Sequence, residues 1–346
     1  MSIINLSFQI GLPLWIFDLD NTIITTRSGK KFPKDLEDYK YIIRPKTSGR
    51  INLLVYSNQA KCPDYMSEKI SRIKKDIQEL CPNAMVSYII ATEKDKYRKP
   101  CPLGLQDELN NMDMSFLDFP AVFMVGDAAG RENDFADSDC KFSMNIKMLR
   151  GSKVYFFNPE EYKDMTMKYD MSDWDLCRQY CININPTSEN RISYPYLNAS
   201  PLPDNVLEKL RDKKLIIMSG AQGSGKSTLS KYLQKTYKFR IYEYSSTLKP
   251  NSILPNSIID GTFPSKNKRQ EFMDAFPGQS VVIYFDIPES VRKHNRLYRE
   301  YHGREHISDV AVRMFQKKND DPGCECIRIT EMIFKNDDPE YELFYY

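Results

Sequence analysis

Two aspartates separated by one residue, Asp18 and Asp20 in WIFDLDNT, stand where an apolar run gives way to polar residues. Carboxylates at such a strand end divide a reaction between them. Asp18 can attack a phosphorus atom and carry an aspartyl phosphate. Asp20 can protonate the leaving oxygen and later take a proton from the attacking water. A phosphate among carboxylates demands a cation, and magnesium, held by carboxylates, phosphate and waters, is the natural choice. Asp127 in VGDAAGR follows a further apolar run, so Asp18, Asp20 and Asp127 are the expected metal ligands. Ser57 in YSNQ offers a hydroxyl to a phosphoryl oxygen, and Lys99 in YRKP neutralises charge that develops in transfer.

A second constellation lies far downstream. GAQGSGKS, from Gly220 to Ser227, fits GxxxxGK[ST], follows the apolar run LIIMS and opens the helical pattern STLSKYLQKTY. The amides of Gly220, Gly223, Ser224 and Gly225 can cradle phosphates, Lys226 can reach the β and γ phosphates, and Ser227, beside Thr228, can hold magnesium. ATP or another nucleoside triphosphate is the expected ligand.

These residues need strands to present them. LWIFDL (14–19), INLLVYS (51–57) and the run from Ala121 to Val125 read as buried parallel strands. Between the second and third, Met66, Ile70, Ile73, Ile77 and Leu80 recur at helical spacing, with charge on the opposite face. Strand, helix, strand signals a doubly wound α/β domain, whose ligands sit at the carboxyl ends of the strands. Asp18, Ser57 and Asp127 then share one edge. Periodicity fades towards NPTSENRISYPYLNASPLPD, which reads as a linker, and fresh strands begin at Leu215 and near Val281. The expected organisation is a phosphatase-like domain at 1–165, a linker at 166–206 and a P-loop kinase-like domain at 207–346, both domains doubly wound α/β.

At 346 residues the chain is long for one core and comfortable for two. With 41% hydrophobic and 28% charged residues it can bury cores and stay dissolved. No run reaches the eighteen or so apolar residues of a membrane span, and the apolar start lacks a basic leader and cleavage site. An intracellular, monomeric protein, nuclear or cytoplasmic, is the expectation. Cysteines 62, 81, 101, 140, 177, 181, 324 and 326 lack the CxxC spacing of a zinc site and are expected to be reduced thiols. The net charge of +2 hides basic clusters such as KDKYRKP and KNKR, which suit a phosphodiester partner.

The order DLDNT, SN, KP, GDAAGR resembles the haloacid dehalogenase phosphatase superfamily. The longer strings DLDNTIITTRSGKKFP, YSNQ, YRKP, VGDAAGR and DFADSDCKFSMNI are more similar still to the polynucleotide kinase 3′-phosphatases of DNA end repair. The resemblance implies Asp18 as nucleophile, Asp20 as acid and base, Ser57 and Lys99 as phosphate ligands and Asp127 as metal ligand. It adds Asn58, Arg98 and Thr22 at the phosphate or substrate, and Asp139 as a carboxylate behind the metal. Ser57 stands where the family often has Thr, and Asn21 where it often has Gly.

IIDGTFPS around Asp260, RKHNRLYRE with Asn295 and Arg299, and ISDVAVRMFQKKNDDP resemble the kinase half of the same family. That half has an Asp that takes the proton from the DNA 5′ hydroxyl, in a context like NRDTL, whereas this chain reads YEYSSTL and aligns Ser246 there. A serine is no base at neutral pH, and losing a general base costs about 10²- to 10⁴-fold in rate. A slow kinase, a kinase using Glu243 instead, and a domain that only binds nucleotide or nucleic acid all stand open. The expected partners are nucleic-acid ends, DNA strand breaks or RNA, with magnesium and a nucleoside triphosphate as cofactors.

Overall fold

The computed structural model describes residues 2–26, 39–59, 65–132, 134, 136–151, 153–181, 202–263, 265–304, 306–318 and 326–345. The chain divides into two compact units, Met1–Ser193 with Leu343–Tyr346, and Tyr194–Glu342.

The first unit is built on strands β1 (Ile3–Asn5), β2 (Leu14–Phe17), β5 (Asn52–Asn58), β6 (Met85–Ala91), β7 (Val122–Val125) and β8 (Val154–Phe157), with a separate small antiparallel hairpin of β3 (Ile24–Thr26) and β4 (Tyr39–Tyr41). The six strands lie in the order β1-β6-β5-β2-β7-β8, parallel except for the edge strand β1. Every residue of β2 and β7 is buried, as a strand covered on both faces requires. Trp15 stacks on Phe123 at 4.2 Å between ring centroids, and its indole N–H donates to the Met171 carbonyl at 3.1 Å. Helices α1 (Tyr65–Leu80), α2 (Leu103–Asn111), α3 (Ser138–Arg150), α4 (Pro159–Thr166) and the single turn α5 (Trp174–Cys177) complete the unit. On α1 the stripe Ile70, Ile73 and Ile77 is buried as its spacing predicts, each side chain stabilising by about 1.5–3 kcal/mol. The N-terminal turn of α4 is set by Asn158 and Glu161, which bond each other's backbone amides in a capping box.

The second unit carries a fully parallel sheet of β9 (Leu215–Gly220), β10 (Arg240–Glu243), β11 (Ser257–Asp260), β12 (Ser280–Phe285) and β13 (Ile327–Ile329), in the order β10-β11-β9-β12-β13. Its helices are α6 (Asp204–Arg211), α7 (Lys226–Tyr237), α8 (Lys266–Met273), α9 (Glu289–Tyr301) and α10 (Asp309–Lys318). One face of the sheet packs Leu229 and Leu233 of α7, the other Phe263 and Phe272.

The boundaries differ from the expected 1–165, 166–206 and 207–346. Met171 and Cys177 are fully buried in the first unit, where Met171 accepts the Trp15 bond, so that unit runs past 165. Leu210 is equally buried in the core of the second unit, which therefore takes in α6 from residue 204. Leu343–Tyr346 belong to the first unit rather than the second. About half of the expected linker, residues 182–201, lies outside the described residues, as do Cys62, Cys324 and part of the segment after Thr26. The described cysteines are free thiols. No helix among the described residues is long and apolar enough to cross a membrane.

Candidate active sites

In the first unit β5, β2 and β7 are parallel neighbours, with Phe17 in register with both Val55 and Val125. Their carboxyl ends therefore open at one edge, and the chain leaves β2 with Asp18, whose amide still donates to the Val125 carbonyl at 2.9 Å. It then turns sharply through Asn21 at φ 57°, a left-handed conformation that Gly and Asn tolerate best. Asn is therefore a residue type that this turn admits. The Asn21 amide bonds the Ile24 carbonyl at 2.7 Å and closes the turn.

Asp18, Asp127 and Asp139 bring carboxylate oxygens within 4.8 Å of one another. Lys99 joins them: its Nζ lies 2.6 Å from Asp18 Oδ1 and 2.6 Å from Asp139 Oδ1. Burial opposes the Lys99 charge, but Asp139 and Asp18 outweigh it and hold the ammonium above its ordinary value. Burial pushes the Asp18 carboxyl up to about 8, with Lys99 pulling it back and Asp139 adding to the rise. Asp127 rises to about 6, through burial first and then the Asp139 charge. Two buried carboxylates and the half-buried Asp127 against one ammonium leave an excess of negative charge, which is the environment that a divalent cation neutralises.

The Asp20 carboxylate stands apart from that group. Gln59, 2% exposed, donates its Nε2 to Asp20 Oδ2 at 2.6 Å and to Ser57 Oγ at 3.0 Å. Of the expected ligands Asp18, Asp20 and Asp127, the structure gathers the side chains of Asp18 and Asp127 with that of Asp139, while the Asp20 carboxylate is turned to Gln59. A Cβ on Gly126 would lie 2.6 Å from Asp139 Cβ, so only glycine admits that approach. Thr22 is fully buried and its hydroxyl accepts the Asp127 amide at 3.0 Å, which fixes the Asp127 loop. Asn58 pairs with both backbone groups of Lys99, at 2.8 and 2.9 Å, and the half-buried Arg98 precedes it.

Gln59 and the buried Lys69 were not among the expected residues. Lys69 on α1 is pulled down by burial and held up in part by the charge of Asp20, so it adds a cation on the acid/base side. Neither carries a signal in its type: a Gln in YSNQ and a Lys in a charged helix read as ordinary polar residues until the fold turns them inward. Nearby, the hairpin β3–β4 offers Tyr39 and Tyr41, with Arg44 4.5 Å above the Tyr41 ring and Arg72 5.8 Å above that of Tyr39.

In the second unit β9 ends at Gly220 and α7 begins at Lys226. The loop between needs glycine at Gly220, Gly223 and Gly225, with φ 139°, 80° and 92°. Lys226 Nζ folds back onto the Ala221 carbonyl at 2.7 Å and the Ser224 hydroxyl at 3.3 Å. Burial lowers its pKa to about 8, Asp260 opposing and the charges of Arg292 and Arg299 adding to the fall. Ser227 and Thr228 are exposed at the start of α7. Asp260 closes β11 immediately beside β9, in register with Met218, and Glu243 closes β10 in register with Asp260. Ser246 sits exposed in the following loop. Asn295 donates to the Gly223 carbonyl at 2.7 Å and so braces the loop. Arg292 and Arg296, on the same helix and both held by Glu289, each bury an Nη1 with no hydrogen-bond partner among the described residues. Their four-residue spacing in RKHNRLYRE was the available signal.

Of the basic stretches, several members are engaged internally: Lys96 pairs with Asp107, Lys268 with Glu271, and the buried Arg269 donates to the Phe263 carbonyl at 2.6 Å.

A carboxylate-lined strand edge in one α/β unit and a P-loop in another define a two-part phosphotransfer protein. Residues 13–163 match the family described as polynucleotide kinase 3 phosphatase, and residues 216–314 match one described as RNA helicase. The first unit therefore carries the domain of the polynucleotide kinase 3 phosphatase family. The bifunctional polynucleotide phosphatase/kinase of Schizosaccharomyces pombe (strain 972 / ATCC 24843) is 26% identical over 355 residues, covering 92% of this chain and 79% of that protein. An uncharacterized 20.8 kDa protein of Autographa californica nuclear polyhedrosis virus is 31% identical over 164 residues, 42% of this chain and 82% of that one. A gluconokinase from Sinorhizobium meliloti 1021 is 13% identical and covers 38% of this chain and 91% of its own, at a TM-score of 0.29 that bears no weight.

Proposed function

We propose that the first unit removes 3′ phosphates from DNA strand-break ends through an aspartyl phosphate on Asp18. The observation that carries this reading is the group of Asp18, Asp139 and Lys99, all buried, with the half-buried Asp127, gathered at the carboxyl ends of the parallel strands. The family match over residues 13–163 and the likeness to the fission-yeast phosphatase/kinase support the substrate class.

The chemistry follows from the side chains. A carboxylate oxygen of Asp18 attacks phosphorus, the phosphorus–O3′ bond breaks, and Asp20 gives its proton to the departing 3′ oxygen. Water then attacks the phosphorus of the aspartyl phosphate, Asp20 takes its proton, and Asp18 is released. The Gln59 amide donates to Ser57 Oγ, so the serine's own hydrogen is free for a phosphoryl oxygen. Lys99 balances charge as it builds on the phosphoryl group. Magnesium fits the excess negative charge of Asp18, Asp127 and Asp139 and would supply electrostatic stabilisation of the transferring phosphoryl group.

The P-loop half is proposed to bind ATP and magnesium through residues 220–228 with Asp260, and to have little 5′-hydroxyl kinase activity because Ser246 replaces a base. The exposed position of Ser246, with no carboxylate on that loop, favours a nucleotide-dependent binding module. The experiment is a parallel assay on oligonucleotides bearing a 3′ phosphate and a 5′ hydroxyl, with and without ATP. Release of the 3′ phosphate should need magnesium and vanish in Asp18→Asn. Equal turnover of sugar phosphates would instead mark a small-molecule phosphatase.

A further inference from the structure

The backbone that carries Lys99 is held from two directions. On one side Asn58 takes both the N–H and the carbonyl of Lys99. On the other, Asn145 of α3, fully buried, donates its Nδ2 to the carbonyl of Pro100 at 2.7 Å. The remaining capacity of that amide is spent on residues almost two hundred positions away. Nδ2 also donates to the Phe344 carbonyl at 2.7 Å, and the Phe344 N–H donates to Asn145 Oδ1 at 2.7 Å. Both hydrogens and the oxygen of the Asn145 side chain are thereby used.

The segment around Phe344 is not a loose end. Leu343, Phe344 and Tyr345 are 0, 4 and 3% exposed, and the Lys141 ammonium lies 5.5 Å over the Phe344 ring. Lys141 and Asn145 are one turn apart on α3, the helix whose first turn supplies Asp139. A buried asparagine that lost the Phe344 backbone would keep unpaired polar atoms and would be free to turn away from Pro100.

We propose that Leu343–Tyr345 is a positioning element of the phosphatase site: through Asn145 it fixes the Lys99–Pro100 backbone, and so the Nζ that bridges Asp18 and Asp139. The proposal rests on the phosphatase reading above. Lysine carries four rotatable bonds, so its ammonium is held to two carboxylates only if its backbone is fixed. Displacement by about 1 Å in an active site can cost about a hundredfold in rate.

The test uses the full chain. Phe344→Pro removes the N–H given to Asn145, whereas Phe344→Leu keeps both backbone bonds and an apolar side chain. Phosphate release from a 3′-phosphate oligonucleotide is measured in magnesium, with kcat and KM separated. Phe344→Pro is expected to lower kcat ten- to a hundredfold with KM within twofold, and Phe344→Leu to stay within threefold of the parent. Should Phe344→Pro not fold, a semisynthetic chain with the α-hydroxy analogue of Phe344, which replaces that N–H by oxygen alone, provides the same comparison. Parental kcat in the ester chain, or equal losses in the proline and leucine chains, overturns the proposal while inactivity of Asp18→Asn leaves the phosphatase reading standing. Activity surviving in Asp18→Asn would instead remove the reading itself.

Discussion

At the scale of single residues, the first site is a problem in charge. Asp18 and Asp127 hold their protons to about 8 and about 6 because burial and the Asp139 charge disfavour three anions together. A cation must displace those protons, so its affinity falls as pH drops through this range. The apparent affinity for magnesium, read from activity at several metal concentrations, is expected to weaken by about tenfold or more between pH 8 and pH 6, with excess magnesium restoring the rate. Asp20 is tested separately. Asp20→Asn should lower kcat about 10²- to 10⁴-fold, and a burst of one phosphoryl group per enzyme should remain visible with a good leaving group. Gln59→Leu removes a charge-assisted bond of 2.6 Å and should cost about ten- to a hundredfold in kcat, with little change in melting temperature.

At the scale of elements, β2, β7 and β9 were legible because a strand buried on both faces is an unbroken apolar run that ends in a motif. α1 was legible from Ile70, Ile73 and Ile77. The strand Met85–Ala91 and the hairpin β3–β4 went unread, since MVSYIIA mixes apolar and polar residues and the hairpin's strands are three residues each. Asp139 was visible only through family resemblance: its place beside Asp18 depends on how α3 leans on Gly126, which no local pattern encodes. Asn145 was hidden for the same reason, its partners being set by register and tertiary packing. Two predictions belong here. Gly126→Ala should displace Asp139 and abolish magnesium-dependent turnover, with the unit still folded by circular dichroism. In the P-loop, Lys226 must be charged to meet phosphate, and its pKa of about 8 means that ATP affinity should fall by up to about tenfold per pH unit above that point, as measured by calorimetric titration.

At the scale of the molecule, each unit has its own sheet and its own cores. With magnesium held constant throughout, ATP at about a hundred times its Kd should stabilise the second unit by about 2.7 kcal/mol and leave the first where it was. Differential scanning calorimetry should then show one of two transitions moving; a single transition that moves as a whole would mean that the units unfold together. Binding of an oligonucleotide should weaken steeply with salt, with a slope that counts the phosphates neutralised.

The Trp15 stack gives those measurements an optical handle. The chain has two tryptophans, and both Trp15 and Trp174 fall in the first unit. Excitation at the red edge of the indole band therefore reads that unit alone, while far-ultraviolet ellipticity reads the helices and strands of both. If the two signals trace different denaturation curves, their separation reports directly the difference in resilience between the phosphatase half and the nucleotide-binding half, without any added label.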